Sequence, residues 1–195
     1  KNSLQHKILA QFDADKVRVS LYRPFSKLSL YFDRIFNERV YLFPLIYPGS
    51  IQENENKTIC ISGVGSNKPF HVLMTNIIPC LDSLEKTQCF PFYAYTEDGQ
   101  NRRENITDWA LIHFCHHYRD SAIGKWDIFH YAYGLLHHSD YRRKYAANLR
   151  RELPRIPLVP DFWAFARAGQ ALAELHVHYE QQPAYPLKIQ ATAQP

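Results

Sequence analysis

From Val17 to Phe92 the apolar residues come mostly in short runs, β-branched or aromatic, separated by Pro, Gly, Asn and charged residues, among them VRVSLYRPF, LSLYFD, VYLFPLIYP, KTICISGV and FHVLMTN. Runs of that length and composition between turn formers predict strands. After the turn TEDGQN the period becomes helical. Trp109, Ile112, His113, His116 and Tyr118 fit a helix capped by Thr107 or Asp108, and Trp126, Phe129, Ala132, Tyr133 and Leu136 fit a second. Tyr141, Tyr145, Leu149 and Leu153 recur every fourth residue, with Arg142, Arg143, Arg150 and Arg151 off that stripe, until Pro154 ends the segment. A last helix over about Asp161 to Tyr179 turns Phe162, Phe165, Ala166, Gly169, Leu172 and either Leu175 or His176 inward. The pattern predicts an α+β class: an N-terminal β-rich lobe with an antiparallel or mixed sheet (17–104) followed by a C-terminal helical lobe (105–180). Together they read as one domain over 1–180, with an extended tail over 181–195. The start at Lys1, without methionine and amid helix-compatible Leu4, Ile8, Leu9 and Phe12, reads as a piece of a longer polypeptide.

Composition narrows the class. The 195 residues can hold one sizeable core or two lobes sharing one, and 46% hydrophobic with 14% aromatic residues is the mark of a folded chain. A formal net charge of +4 tilts towards an anionic partner without the block basicity of a histone-like tail. Cys60, Cys80, Cys89 and Cys115 lack CxxC spacing, which points to reduced thiols in a cytoplasm rather than a disulfide framework. No run approaches the about 18 apolar residues that a membrane helix needs.

The glycine pair in GVGSNKP, residues 63–69, invites a phosphate-loop reading. A P-loop requires Gly-Lys-Ser/Thr, but Lys68 stands between Asn67 and Pro69. A dinucleotide fingerprint requires a third glycine opening a helix, and another strand follows here instead. What remains is a strand, a loop permitting positive φ, and a second strand, with Ser66, Asn67 and Lys68 at the tip. Such a tip suits contact with a polar, anionic surface.

Other chemistry finds little support. His113 and His117 have i, i+4 spacing beside Cys115 and His116, with His130, His137 and His138 further on, yet the glutamate of HExxH is missing. Partly buried or surface helix histidines account for them, and no metal site is expected. No GxSxG elbow or catalytic-cysteine signature appears, and Ser62 before Gly63 reads as turn chemistry. The cofactor glycine loop and Asn/Asp-Pro-Pro-aromatic motif of amino-group methyltransferases are absent. Glu53, Glu55, Glu85, Glu97 and Asp98 fall in polar loops, where solvated surface is the default.

The basic residues are more coherent. Arg23, Lys27, Arg34 and Arg39 lie among aromatics, and Arg102 and Arg103 follow a turn. Arginine offers planar bidentate donors to phosphate or guanine, and asparagine can read adenine. The helical arginines read as a solvated face with partners such as Glu152. The β-lobe set, with Ser66, Asn67 and Lys68, reads as a contact surface.

Several stretches then stand out together: YRPFSKLSLYFDRIFNER, ENKTICISGVGSNKPFHVLMTNIIP, QCFPFYAY, ENITDWAL, DIFHYAYGLLHHSDYRRKYAANLRRELPRIPL and DFWAFARAGQALAELHVHYE. Their order and spacing resemble the C-terminal target-recognition, or specificity, region of type ISP restriction-modification enzymes and related single-chain adenine methyltransferases. The likeness runs from about Val17 to Glu180, and ELPRIP followed by DFW and ELH is its most specific part. The sequence departs from the family pattern at Ser26, Lys27 and Leu28, where an aspartate and a basic pair are usual, and at Val40, where a second basic residue is usual.

The resemblance implies a module that recognises a short asymmetric sequence in double-stranded DNA, with no catalytic activity of its own. Nuclease, helicase-like ATPase and adenine-N6 methyltransferase domains of the parent would be its partners. S-adenosylmethionine, ATP and magnesium belong to those domains, and no cofactor is expected here. Two rival readings stand beside this one. In the first, an aromatic helical lobe docks on the parent or a partner subunit while DNA is read elsewhere. In the second, a small hydrolase uses one of the histidines.

Overall fold

The computed structural model describes residues 9, 11–37, 39–49, 55–96, 98–184 and 186–187. Leu4, Ile8, Glu53, Glu97 and residues 188–195 lie outside them.

Among the described residues the β-rich half holds three small sheets. β1 (Val17–Arg23) pairs antiparallel with β2 (Ser26–Tyr31) and, on its other edge, parallel with the two-residue β5 (Ile78–Pro79). β3 (Thr58–Ile61) is central in the second sheet, antiparallel to β4 (Val72–Thr75) and to β6 (Gln88–Pro91). β7 (Tyr93–Tyr95) and β8 (Arg102–Glu104) form a ribbon.

All four residues of β3 and of β4 are buried, because both faces of their sheet are covered. Ile59, Ile61, Val72 and Met74 face the helices, whereas Cys60 and Leu73 join Leu21 of β1 and Leu84 on the other side. Continuous apolar runs, without polar alternation, are what a doubly covered strand requires. Pro91 is accommodated in β6 by ladder parity: the Phe92 N–H donates to Lys57 O, so Pro91 falls at a position that has no N–H to give β3.

One expected strand is corrected. VYLFPLIYP forms a turn and a single helical turn, α1 (Phe43–Ile46), in which Pro44 sits in the first turn. Proline has no N–H for a sheet ladder, but a first-turn N–H has no intrahelical partner to lose.

The C-terminal half is helical: α2 (Asp108–Tyr118), α3 (Lys125–His137), α4 (Ser139–Lys144), α5 (Ala146–Leu149) and α6 (Phe162–Val177). Thr107 caps α2 by accepting from Ala110 N, and Asp161 caps α6 by accepting from Ala164 N. The inward face of α2 is Leu111, Phe114, Cys115 and Tyr118. The expected stripe is rotated accordingly: Trp109 and Ile112 are 73% and 67% exposed, and Trp109 stacks on His113. On α6, Leu175 is exposed and His176 is the inward member of the pair.

Both halves share one core, in which Phe92 stacks on Trp126 at 3.6 Å between ring centroids. ELPRIP proves structural. Tyr141, Tyr131 and Tyr118 donate their hydroxyls to the carbonyls of Arg155, Pro157 and Val159, and Val159 N donates back to Tyr131. Three tyrosines thus clamp alternate carbonyls of an extended strap that two prolines keep out of helix.

Candidate nucleic-acid interface

The glycines of the GVGSNKP loop serve packing and turning. A side chain on Gly63 would meet Lys86 O at 2.1 Å, so glycine lets the 81–87 loop approach, and Gly65 adopts φ +74. Gly65 N also donates to Arg150 O of the helical half. Glu85 and Lys86 themselves take positive φ, 64 and 51, a strained conformation for non-glycine residues. That conformation aims the Glu85 carboxylate at the loop tip. Ser66 Oγ donates to it at 2.7 Å, and the Asn67 and Lys68 amides donate at 3.4 and 3.2 Å. These donors hold the Glu85 carboxyl below the usual carboxylate range, the Ser66 hydroxyl foremost. The tip is therefore an anion nest already filled by the chain's own carboxylate. Ser66 has given its hydroxyl to that bond, whereas the side chains of Asn67 and Lys68 stay exposed.

The remaining sequence-predicted residues divide into groups. Arg23 and Lys68 converge on one cleft. Arg34 lines a hollow of about 680 Å³ with Lys16, Arg18 and Asp33, and Arg39 lines an adjoining one of about 300 Å³ that shares Phe32 and Val40 with it. Lys27 does not line the cleft of Arg23 and Lys68: it pairs with Glu180 at 2.6 Å and lies 5.1 Å from the Tyr179 ring, which packs on Phe25. Arg102 lies over Tyr93 and pairs with Glu55 at 2.9 Å, and its neighbour Arg103 is exposed on β8. Exposed pairs such as these contribute little to stability and leave their cations accessible.

The cleft of Arg23 and Lys68 measures about 420 Å³ and lies where the β1–β2 turn, the loop tip, α3, α4 and α6 meet. Phe25, at φ 58 in that turn, packs edge-on against His176 and Tyr179 and forms one wall. Arg23 donates to Tyr22 O and Asp82 O. Arg142 enters from α4 and donates to Phe70 O. His71, His137 and His176 also line the cleft, and Asp82 is its one carboxylate among the lining residues. Desolvation pushes the His137 imidazole down to about 4, helped by His176 and Arg142, and desolvation also lowers His176.

His71 and Arg142 were missed as site residues by sequence reasoning. Arg142 follows buried Tyr141, so it lies at the edge of the helix's buried face, unlike Arg143 and Arg155, which pair with Asp140 and Glu152. Among the described residues no group of three His, Cys, Asp or Glu is placed to hold a metal ion. No helix among them is long and apolar enough to cross a membrane.

Three cations from separate segments facing one carboxylate make this cleft suited to an anionic partner. The chain belongs to the Type ISP C-terminal specificity domain family, whose pattern it matches over residues 1–195. It is similar to a chain of the DrdV–DNA complex seen by cryo-electron microscopy, at 48% identity and a TM-score of 0.90, over 96% of this chain and 18% of that one. A nuclease-deletion mutant of the Type ISP restriction-modification enzyme LlaGI, in complex with a DNA substrate mimic, matches at 31% identity and TM-score 0.78, over 94% of this chain and 16% of that one. The ATP-dependent Type ISP enzyme LlaBIII bound to DNA shares the fold at 24% identity and TM-score 0.82, over 95% and 12% of the two chains. The chain thus spans less than a fifth of the length of each of these structures. A comparison with curated proteins found no match.

Proposed function

We propose that this chain is the DNA-reading module of a restriction-modification enzyme, directing methylation and cleavage performed by other domains. The observation that carries the reading is the convergence of Arg23, Lys68 and Arg142, from three separate segments, on one cleft holding a single carboxylate. Family membership and the DNA present in the similar structures support it. In this reading basic residues of both halves hold phosphates, while Asn67, Lys68, Arg34, Arg39, Arg102 and Arg103 are the candidates for base or backbone contact. The parent would supply the nuclease, the ATPase and the adenine-N6 methyltransferase, with S-adenosylmethionine, ATP and magnesium bound there.

Fluorescence anisotropy with random duplexes at two salt concentrations tests the reading. Affinity that falls steeply with salt is the expected result, because cations that neutralise phosphates release condensed counterions. Absence of binding at low salt, or indifference to salt, contradicts it. The docking reading has one observation in its favour, the outward Trp109 and Ile112 on α2. It predicts weak or absent DNA binding, with a loss of assembly when those two residues are replaced.

A further inference from the structure

The cleft between the β1–β2 turn and α4 has a composition that selects one chemical class of ligand. Three permanent cations and three imidazoles face one carboxylate, and the walls include Phe25 and Leu73. Lys68 and His71 are exposed at its mouth, and Arg142 is half-buried deeper in. Arg142 uses one guanidinium nitrogen on Phe70 O. A guanidinium carries five N–H donors, so Arg142 keeps others for a ligand. Arg23, held by the carbonyls of Tyr22 and Asp82, adds a fixed charge rather than a swinging one. Glu85 occupies the backbone amides of the neighbouring loop nest, so what the tip offers an incoming anion is the exposed Lys68 side chain that lines the cleft.

We propose that this cleft seats an internucleotide phosphate of the duplex backbone, bound by Lys68, His71 and Arg142 and anchoring the β-lobe loops in register with the DNA. The assignment rests on the DNA-reading function proposed above and adds to it a backbone-positioning site at the seam of the two halves. Such a contact fixes orientation and carries no sequence information directly. Its loss lowers affinity for every duplex alike.

The test uses the chain with random-sequence duplexes. Replacing Lys68 and His71 together by alanine changes exposed side chains only and is expected to weaken binding roughly tenfold, with the slope of log K against log salt falling by about 0.9. Asp82→Asn, which removes the opposing charge, is expected to raise affinity by a few fold, a gain that misfolding cannot produce. Wild-type binding that neither variant alters overturns the site and leaves the DNA reading standing. Wild-type failure to bind at low salt overturns both. A titration followed by NMR at His71 separates the anion's source. Shifts that saturate with a short duplex, at concentrations where inorganic phosphate causes none, support the assignment, and shifts with inorganic phosphate alone overturn it.

Discussion

Gly134 and Gly169 meet backbone against backbone where α3 crosses α6: a Cβ on Gly169 would lie 1.9 Å from His130 O, and one on Gly134 would lie 2.4 Å from Phe165 O. The two helices make the most extensive helix contact of the fold, and they carry His137 and His176 to the cleft. Close approach at the glycines therefore fixes the cleft's floor.

Gly169→Ala gains about 1 kcal/mol of helix propensity, but overpacking a backbone contact costs about 1–3 kcal/mol, so a net loss is expected. A urea unfolding curve checks it. A midpoint that stays or rises would show that the helices can separate at no cost.

The tyrosine clamp on residues 155–159 makes a second prediction. Tyr131 both donates to Pro157 O and accepts from Val159 N, so Tyr131→Phe leaves both groups without that partner, at about 1–3 kcal/mol. Lower stability with faster proteolysis between Arg151 and Asp161 is the expected outcome. Unchanged cleavage would mean that the strap is held by its prolines and by Ile156 alone.

Acid sensitivity follows from the imidazoles of buried His130 and half-buried His137. Burial lowers His130 to about 4, with the Lys57 charge adding to the effect, and His137 likewise to about 4. Their unfolded values lie near 6.5, so between about pH 6.5 and 4 the unfolded chain binds protons that the folded chain refuses. Stability therefore falls as pH drops through that window, by of order 1–2 kcal/mol for His130 after allowance for solvent screening. Thermal unfolding from pH 7 to 4 measures it, and His130→Phe should flatten the profile. An equally steep fall in that variant would place the acid sensitivity elsewhere.

Glu85 gives a local prediction. Its carboxylate receives the Asn67 and Lys68 amides, so Glu85→Ala should speed hydrogen exchange at those two amides and leave β3 and β4 unchanged. Equal protection in both proteins would show that the tip is ordered by Gly63 and Gly65 without the carboxylate.

Much of the fold was legible because it rests on local rules. Thr107 and Asp161 announce helix starts, and the apolar runs around Ile59 and Leu73 announce strands, whereas the helical stripe expected to run to Leu153 and stop at Pro154 already ends at Leu149, with Leu153 exposed. Where reading failed, a non-local partner decided. The stripe through Trp109 and Ile112 has helical spacing, yet the stripe through Phe114 fits the space between Tyr131 and Phe162, and composition alone could not rank them. Ser66 looked like a free donor until the strained loop brought Glu85 to it from 19 residues away. Arg142 shares a sequence run with Arg143, but only Arg142 lies on the side of α4 facing Phe70 O.

In the proposed reading this chain selects DNA by sequence, through loops anchored at the basic cleft. Selection from a pool of randomised duplexes by the immobilised chain tests it most directly. Enrichment of one short asymmetric motif is expected, retained at weaker overall affinity when Lys68 and His71 are replaced. Duplexes recovered without any common motif, from a chain that binds them well, would contradict it.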